Sequence, residues 1–183
     1  MSKRVYIFLA DGFECTETIA PIDVMFRAGI DLHKIAVGKS KEITSSHGLV
    51  TLHADSLIGQ IDTNDGDAII LPGGYPGYIN LRESEALINI VRQYSDRHAI
   101  IAAICGAPTV LAAAGVARGR NVTCHSSVID EMADYRYEGK DVVIDDNIIT
   151  AAGAGCSIDF ALAIAERLVD SETMSRVRRG MEV

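Results

Sequence analysis

Cys105 follows the apolar run 99–104 (AIIAAI) and precedes Gly106-Ala107-Pro108, which opens a helical stretch. A strand that passes straight into a helix needs a tight turn with small neighbours, and Ala102, Ala103, Gly106 and Ala107 supply them. A side chain on such a turn stands exposed at the top of a sheet, as the nucleophile of an elbow does. A thiol there also lies near a helix N-terminus, whose dipole favours the thiolate. The simpler alternative is a cysteine that packs as a small hydrophobe.

Other residues could serve the same sulfur. Leu71-Pro72-Gly73-Gly74-Tyr75 follows a second apolar strand, and paired glycines let backbone N–H groups approach an oxyanion or a phosphate. Pro-Gly-Gly alone reads equally well as an ordinary strand-ending turn. Glu14 and Glu17 fall at the first strand–helix junction, where a carboxylate is first of all a favourable charge at a helix start. If Glu17 is desolvated beside the thiol, its pKa rises and it becomes a proton donor and acceptor near neutrality. Of the five histidines, only His125 both follows Cys105 and ends a predicted strand. Cys124 and His125 are adjacent, and no second pair has zinc-like spacing, so no metal is expected. Asp23, inside the first helix, reads most simply as a solvated or capping charge.

The segments around these residues alternate between strand and helix patterns. Strands are expected at 3–9, 31–37, 68–71, 99–104 and 122–124, with a hairpin over 42–54 turning at His47-Gly48 and a further pair over 142–149 turning at Asp145-Asp146-Asn147. Helices are expected at 16–28 with Gly29 as its stop, at 81–94, at 107–114, at 157–169 with Ser157 as N-cap, and over the tail from 171. This alternation implies a flavodoxin-like, doubly wound α/β fold with a mostly parallel sheet sandwiched by helices. Ligands in such folds collect beyond the carboxyl ends of the strands, so the segments after Leu9, Leu71, Ile104 and Cys124 should converge.

Composition limits the partners. The chain has 183 residues, 48% of them hydrophobic and 23% charged, which suits a single domain over 1–183. A net charge of −8 with only 5% aromatic residues argues against nucleic acid as a partner. The apolar run after Lys3-Arg4 stops at Asp11-Gly12, too short for a signal or a membrane span, so no membrane partner and a cytoplasmic location are expected. The four cysteines lack any Cys-x-x-Cys pair, which leaves packing residues or one reactive thiol among bystanders.

Taken together, GFECTE (12–17), LPGG (71–74) and AAICGAP (102–108) resemble the ThiJ/PfpI superfamily, above all its parkinsonism-associated DJ-one branch with its bacterial relatives. IDVMFRAGI, INLRESEAL, VTCH and SIDFALAI extend the resemblance over nearly the whole chain. The resemblance implies a homodimer in which Cys105 is the oxidisable nucleophile and Glu17 the acid hydrogen-bonded to it. It makes His125 the nearby histidine, Gly73 and Gly74 backbone donors, with Gly106 beside them, and Glu14 and Asp23 polar support for the pocket. The implied activity is that of a cofactor-free, glutathione-independent glyoxalase or deglycase acting on methylglyoxal-like aldehydes or early glycation adducts. The alternatives are a redox-sensing stress protein or a chaperone working through Cys105 oxidation, and a PfpI-type peptidase. The peptidase branch places His directly after the nucleophile, where this chain has Gly106. Ala152 and His47 stand where close relatives carry Arg, which removes fixed positive charge.

Overall fold

The computed structural model describes residues 3–183. The strands are β1 (Arg4–Leu9), β2 (Asp31–Ala36), β3 (Glu42–Thr44), β4 (Thr51–His53), β5 (Ser56–Leu57), β6 (Ala68–Leu71), β7 (Ile100–Ile104), β8 (Asn121–Val122), β9 (Arg136–Tyr137), β10 (Val142–Asp145) and β11 (Ile148–Ala151). The helices are α1 (Cys15–Arg27), α2 (Gly77–Arg82), α3 (Glu85–Asp96), α4 (Pro108–Ala114), α5 (Ser157–Glu166) and α6 (Ser171–Met181).

Seven strands form one sheet in the order β10-β11-β7-β6-β1-β2-β5, parallel except for the edge strand β10. Strand alternation divides the core in two. Val5, Ile7 and Leu9 face Val24 and Met25 of α1, Phe160 of α5 and Met174 of α6. Tyr6 and Phe8 face the other way, onto Leu81 of α2, Leu87 and Val91 of α3, and Val110 and Leu111 of α4. Apolar side chains cover both faces of β6 and β7, which explains their uninterrupted hydrophobic runs. This is a flavodoxin-like α/β sandwich. From β1 the chain leaves through α1 toward β2, while from β6 it leaves through α2 and α3 toward β7. The carboxyl ends of β1 and β6 therefore flank the switch point where such folds bind ligands.

Several local expectations need correction. The single helix expected over 81–94 is two, because Ser84 breaks out to an extended ψ of 105° and its hydroxyl accepts the Leu87 N–H at 3.3 Å as a new N-cap. The strand expected at 122–124 covers only Asn121 and Val122, and it pairs with β9 in a separate two-stranded sheet. Cys156, not Ser157, occupies the N-cap position of α5, and the Ser157 hydroxyl donates to the Ala154 carbonyl at 2.8 Å. The two-residue β5 is too short to leave a periodic trace. Among the described residues, no helix is long and apolar enough to cross a membrane, and no three His, Cys, Asp or Glu side chains converge on a possible metal position.

Candidate active site

Cys105 directly follows β7 and adopts a left-handed φ of 64°. Among the described residues, the four other non-glycine residues with positive φ (His98, Ala117, Asp146 and Glu182) lie in connections or at a helix end. Such a conformation costs a side-chain-bearing residue about 1–2 kcal/mol. The backbone is held there from two directions: the Cys105 N–H donates to the Ala151 carbonyl at 2.9 Å, and its carbonyl accepts the His125 N–H at 2.9 Å. The turn tolerates nothing larger at 106, because a Cβ on Gly106 would lie 2.6 Å from the Tyr78 ring. The result is the strained elbow expected for an exposed nucleophile, with a half-buried thiol.

Glu17 reaches the sulfur from the first turn of α1. Glu14 is the N-cap of that helix, and its carboxylate accepts the Glu17 N–H at 2.9 Å. Three residues on, the Glu17 side chain points inward and is completely buried. Its Oε2 accepts the Gly73 N–H at 2.8 Å, while Oε1 is enclosed without a hydrogen-bond partner of good geometry. The Cys105 thiol interacts with the same carboxyl group. Gly73 makes this approach possible, since a Cβ there would fall 2.7 Å from both the Cys105 Cβ and Glu17 Oε2. Gly74, at φ 93°, is pressed against the backbone of residues 12–14 and ties the two loops together.

Burial raises the Glu17 pKa to about 7, against the pull of its hydrogen bonds to Cys105 and Gly73. Burial also pushes the Cys105 thiol up to about 12, followed by the negative charge of Glu17, while the N–H groups of Gly74 and Gly106 draw it down. The thiolate expected from the helix dipole alone is therefore corrected: desolvation outweighs the dipole, and ionised Glu17 holds the thiol proton in place. Protonation of Glu17 removes that opposing charge and adds a donor toward the sulfur, so the two groups titrate as a pair. The backbone roles shift as well. The Gly73 N–H is occupied by Glu17, and the donors that face the sulfur are those of Gly74 and Gly106.

His125 lies exposed at the edge of this arrangement and is joined to Cys105 through the backbone bond already described. Its segment is fastened to the sheet by the Thr123 N–H, which donates to Thr150 Oγ1 at 2.9 Å. The His125 Cδ2 edge lies beside Gly153, in the loop after β11. Asp23 is not drawn into the site, because its carboxylate pairs with Arg27 at 2.7 Å, one turn further along α1. Two neighbours escaped the sequence reading. Tyr78 walls Gly106 from α2, and nothing in its spacing marks it. Ser127 bonds the His125 ring, which the His-Ser-Ser string could have signalled.

Comparison with known proteins adds a family to this geometry. Residues 3–167 match the family model described as DJ-1/PfpI. The chain belongs to the DJ-1/PfpI family. It is 37% identical to the zebrafish Parkinson disease protein 7 homolog, over 96% of this chain and 95% of that protein. It is 35% identical to the Caenorhabditis elegans glutathione-independent glyoxalase DJR-1.2, over 85% of this chain and 83% of that protein. Among solved structures, Drosophila melanogaster DJ-1beta superposes with a TM-score of 0.96 at 36% identity, covering 100% of this chain and 99% of that one.

The two positions at which the resemblance leads one to expect Arg also have places. His47 is exposed at the tip of the β3–β4 hairpin. Ala152 follows β11, and its N–H donates to the Asp141 carbonyl at 2.9 Å. The other cysteines of this family member differ from Cys105. Cys124 is buried and pushed up to about 11 by that burial alone. Cys15 opens α1 and Cys156 caps α5, both half-buried.

Proposed function

We propose that the protein is a cysteine-dependent glyoxalase that converts small α-oxoaldehydes to 2-hydroxy acids without glutathione. The observation that carries this reading is the contact between a thiol on a strained elbow and a fully buried carboxyl whose pKa is raised to about 7. The relative named as a glutathione-independent glyoxalase supports it. Ionised Glu17 accepts the thiol proton as Sγ bonds to the aldehyde carbon, and the N–H groups of Gly74 and Gly106 stabilise the oxyanion. Glu17 passes that proton on to the oxyanion, which gives a hemithioacetal and leaves the carboxylate ionised again. Glu17 then removes the proton from the aldehyde-derived carbon, and water on the exposed side of the site, where His125 lies, gives a proton to the neighbouring carbonyl oxygen to form an enediol. Glu17 returns its proton to the adjacent carbon while the hydroxyl on the sulfur-bearing carbon releases its proton to solvent, which leaves a thioester, and water cleaves it to the hydroxy acid and the free thiol. One water is consumed and no external oxidant or reductant is needed. An early glycation adduct that releases the same aldehyde would enter this sequence at the first step.

The test is methylglyoxal consumption with lactate formation by the wild type and by Cys105→Ser. The expected result is turnover in the wild type and none above background in the variant, and equal rates in both would overturn the reading. A second reading draws on the partnerless Glu17 Oε1, which when protonated could donate to a sulfinate formed on Cys105 by peroxide. Mass spectrometry after mild peroxide treatment checks it, and oxidation of Cys15, Cys124 or Cys156 ahead of Cys105 would exclude it. The exposed Ile19 and Phe26 on α1 and Ile158 on α5 offer an apolar surface that a second copy of the chain could cover. Equilibrium sedimentation would then give twice the chain mass.

A further inference from the structure

The side chain of Ser127 makes one hydrogen bond within the described structure, and it falls on His125. Ser127 Oγ lies 2.8 Å from His125 Nδ1, and the Ser127 backbone N–H donates to the same nitrogen at 3.2 Å. A backbone N–H can only donate, so Nδ1 is the unprotonated nitrogen of the neutral ring. The hydroxyl must then donate as well, and the ring proton resides on Nε2. The rest of the ring is free to work: the Cδ2 edge lies beside the Gly153 backbone beyond β11, and the side chain is open to solvent. The backbone below it is bonded to the Cys105 carbonyl.

We infer that Ser127 is a positioning residue that holds His125 in its Nε2–H tautomer, so that His125 serves the reaction as a hydrogen-bond donor rather than as a base. This deepens the glyoxalase reading and rests on it. It also divides the labour between Glu17 and His125. Glu17, enclosed and with a partnerless oxygen, is the group that takes and returns the carbon-bound proton. His125 offers Nε2–H to the substrate oxygen that becomes the enediol hydroxyl, and a ring fixed at Nδ1 cannot flip without giving up both Ser127 bonds. The Ser127 backbone N–H favours this tautomer by itself, so the contribution of the hydroxyl is what its removal reveals.

Two measurements on wild type, Ser127→Ala and Ser127→Thr test the assignment. The first is the ¹⁵N chemical shifts of the His125 ring, identified by their loss in His125→Gln. Wild type should show a protonated Nε2 and an unprotonated Nδ1, Ser127→Ala a mixed or rotating ring, and Ser127→Thr the wild-type pattern. The second is steady-state methylglyoxal kinetics, in which Ser127→Ala should lower kcat about fivefold at unchanged KM, the scale of one neutral hydrogen bond. Ser127→Thr should restore it. A Nδ1-protonated wild-type ring, or a Ser127→Ala variant with native tautomer and native kcat, would overturn the inference. Loss of thermal stability in Ser127→Ala with both readouts unchanged would do the same, since that is what a purely structural cap predicts. If the wild type does not turn over methylglyoxal, the glyoxalase reading fails on its own while the tautomer measurement still decides the role of Ser127.

Discussion

At the amino ends of β1 and β2, Arg4 holds Asp31 at 2.9 Å and also pairs with Asp65, while Lys3 holds Asp67 at 2.8 Å. Every one of these groups is substantially exposed, and the Tyr6 hydroxyl, then Arg4, keeps the Asp65 carboxyl below its usual range. At the carboxyl ends of β1 and β6, Glu17 is enclosed, faces no cation among the described residues, and is pushed up to about 7. The same sheet thus treats carboxylates in opposite ways at its two ends. Paired, solvated charges stabilise a fold a little each; an unpaired buried acid costs stability and gains the ability to exchange protons near neutral pH. The contrast recurs within a single helical turn. Glu14 caps α1 at the surface, and Glu17, three residues later, enters the core.

The sharpest way to break the comparison is at the reacting atoms. Cys105→Ser should lose methylglyoxal turnover by about 10³-fold or more, since the hydroxyl is the weaker nucleophile without a strong base. Glu17→Gln should reduce kcat by about 10²–10⁴-fold, the range of a lost general acid–base group. It should also change the pH dependence of stability. A carboxyl whose folded pKa is raised from 4.5 to about 7 contributes fully below the unfolded value and loses that contribution as pH climbs to the folded one. The Glu17 contribution to the free energy of unfolding should therefore fall between about pH 4.5 and pH 7, on the order of 3 kcal/mol in all, and Glu17→Gln should remove that fall. Calorimetry at a series of pH values reads this directly.

Gly73→Ala comes next in size. The added Cβ would sit 2.7 Å from both reacting partners, so thermal unfolding should show a loss of about 1–3 kcal/mol, with activity falling further than stability alone explains. The smallest effect belongs to the other end of the sheet. Asp65→Asn should leave kcat and KM unchanged and lower stability by less than about 1 kcal/mol, as expected of an exposed pair. Its stabilising effect should fade as pH drops through the acidic range, opposite in sign to the effect of Glu17.

Much of this contrast was legible in the chain, and what was not has identifiable causes. The apolar runs at 68–71 and 99–104 announced central strands because burial on both faces leaves no polar alternation. Cys105 stood out because Ala102, Ala103, Gly106 and Ala107 crowd little around it, as suits the tight turn that the φ of 64° displays. The break at Ser84 was hidden, since the apolar period continues through it and only the hydroxyl cap interrupts the helix. The end of β8 was hidden too: Val122, Thr123 and Cys124 read as a strand, but Thr123 spends its N–H on the Thr150 side chain instead of a ladder. For the site, sequence could name Gly73 and Gly74 as donors but could not assign their N–H groups, because that depends on where Glu17 comes to rest. Asp23 looked available for the pocket until its one-turn spacing to Arg27 produced a surface pair. The thiol pKa depends on burial, which no local motif reports.

The central claim is that burial, unopposed by a cation, turns Glu17 into a proton carrier beside Cys105. A ¹³C NMR titration of the Glu17 side-chain carboxyl, identified by its absence in Glu17→Gln, tests it most directly. The account predicts a midpoint at about 7. A midpoint at the ordinary glutamate value of about 4.3 would contradict it.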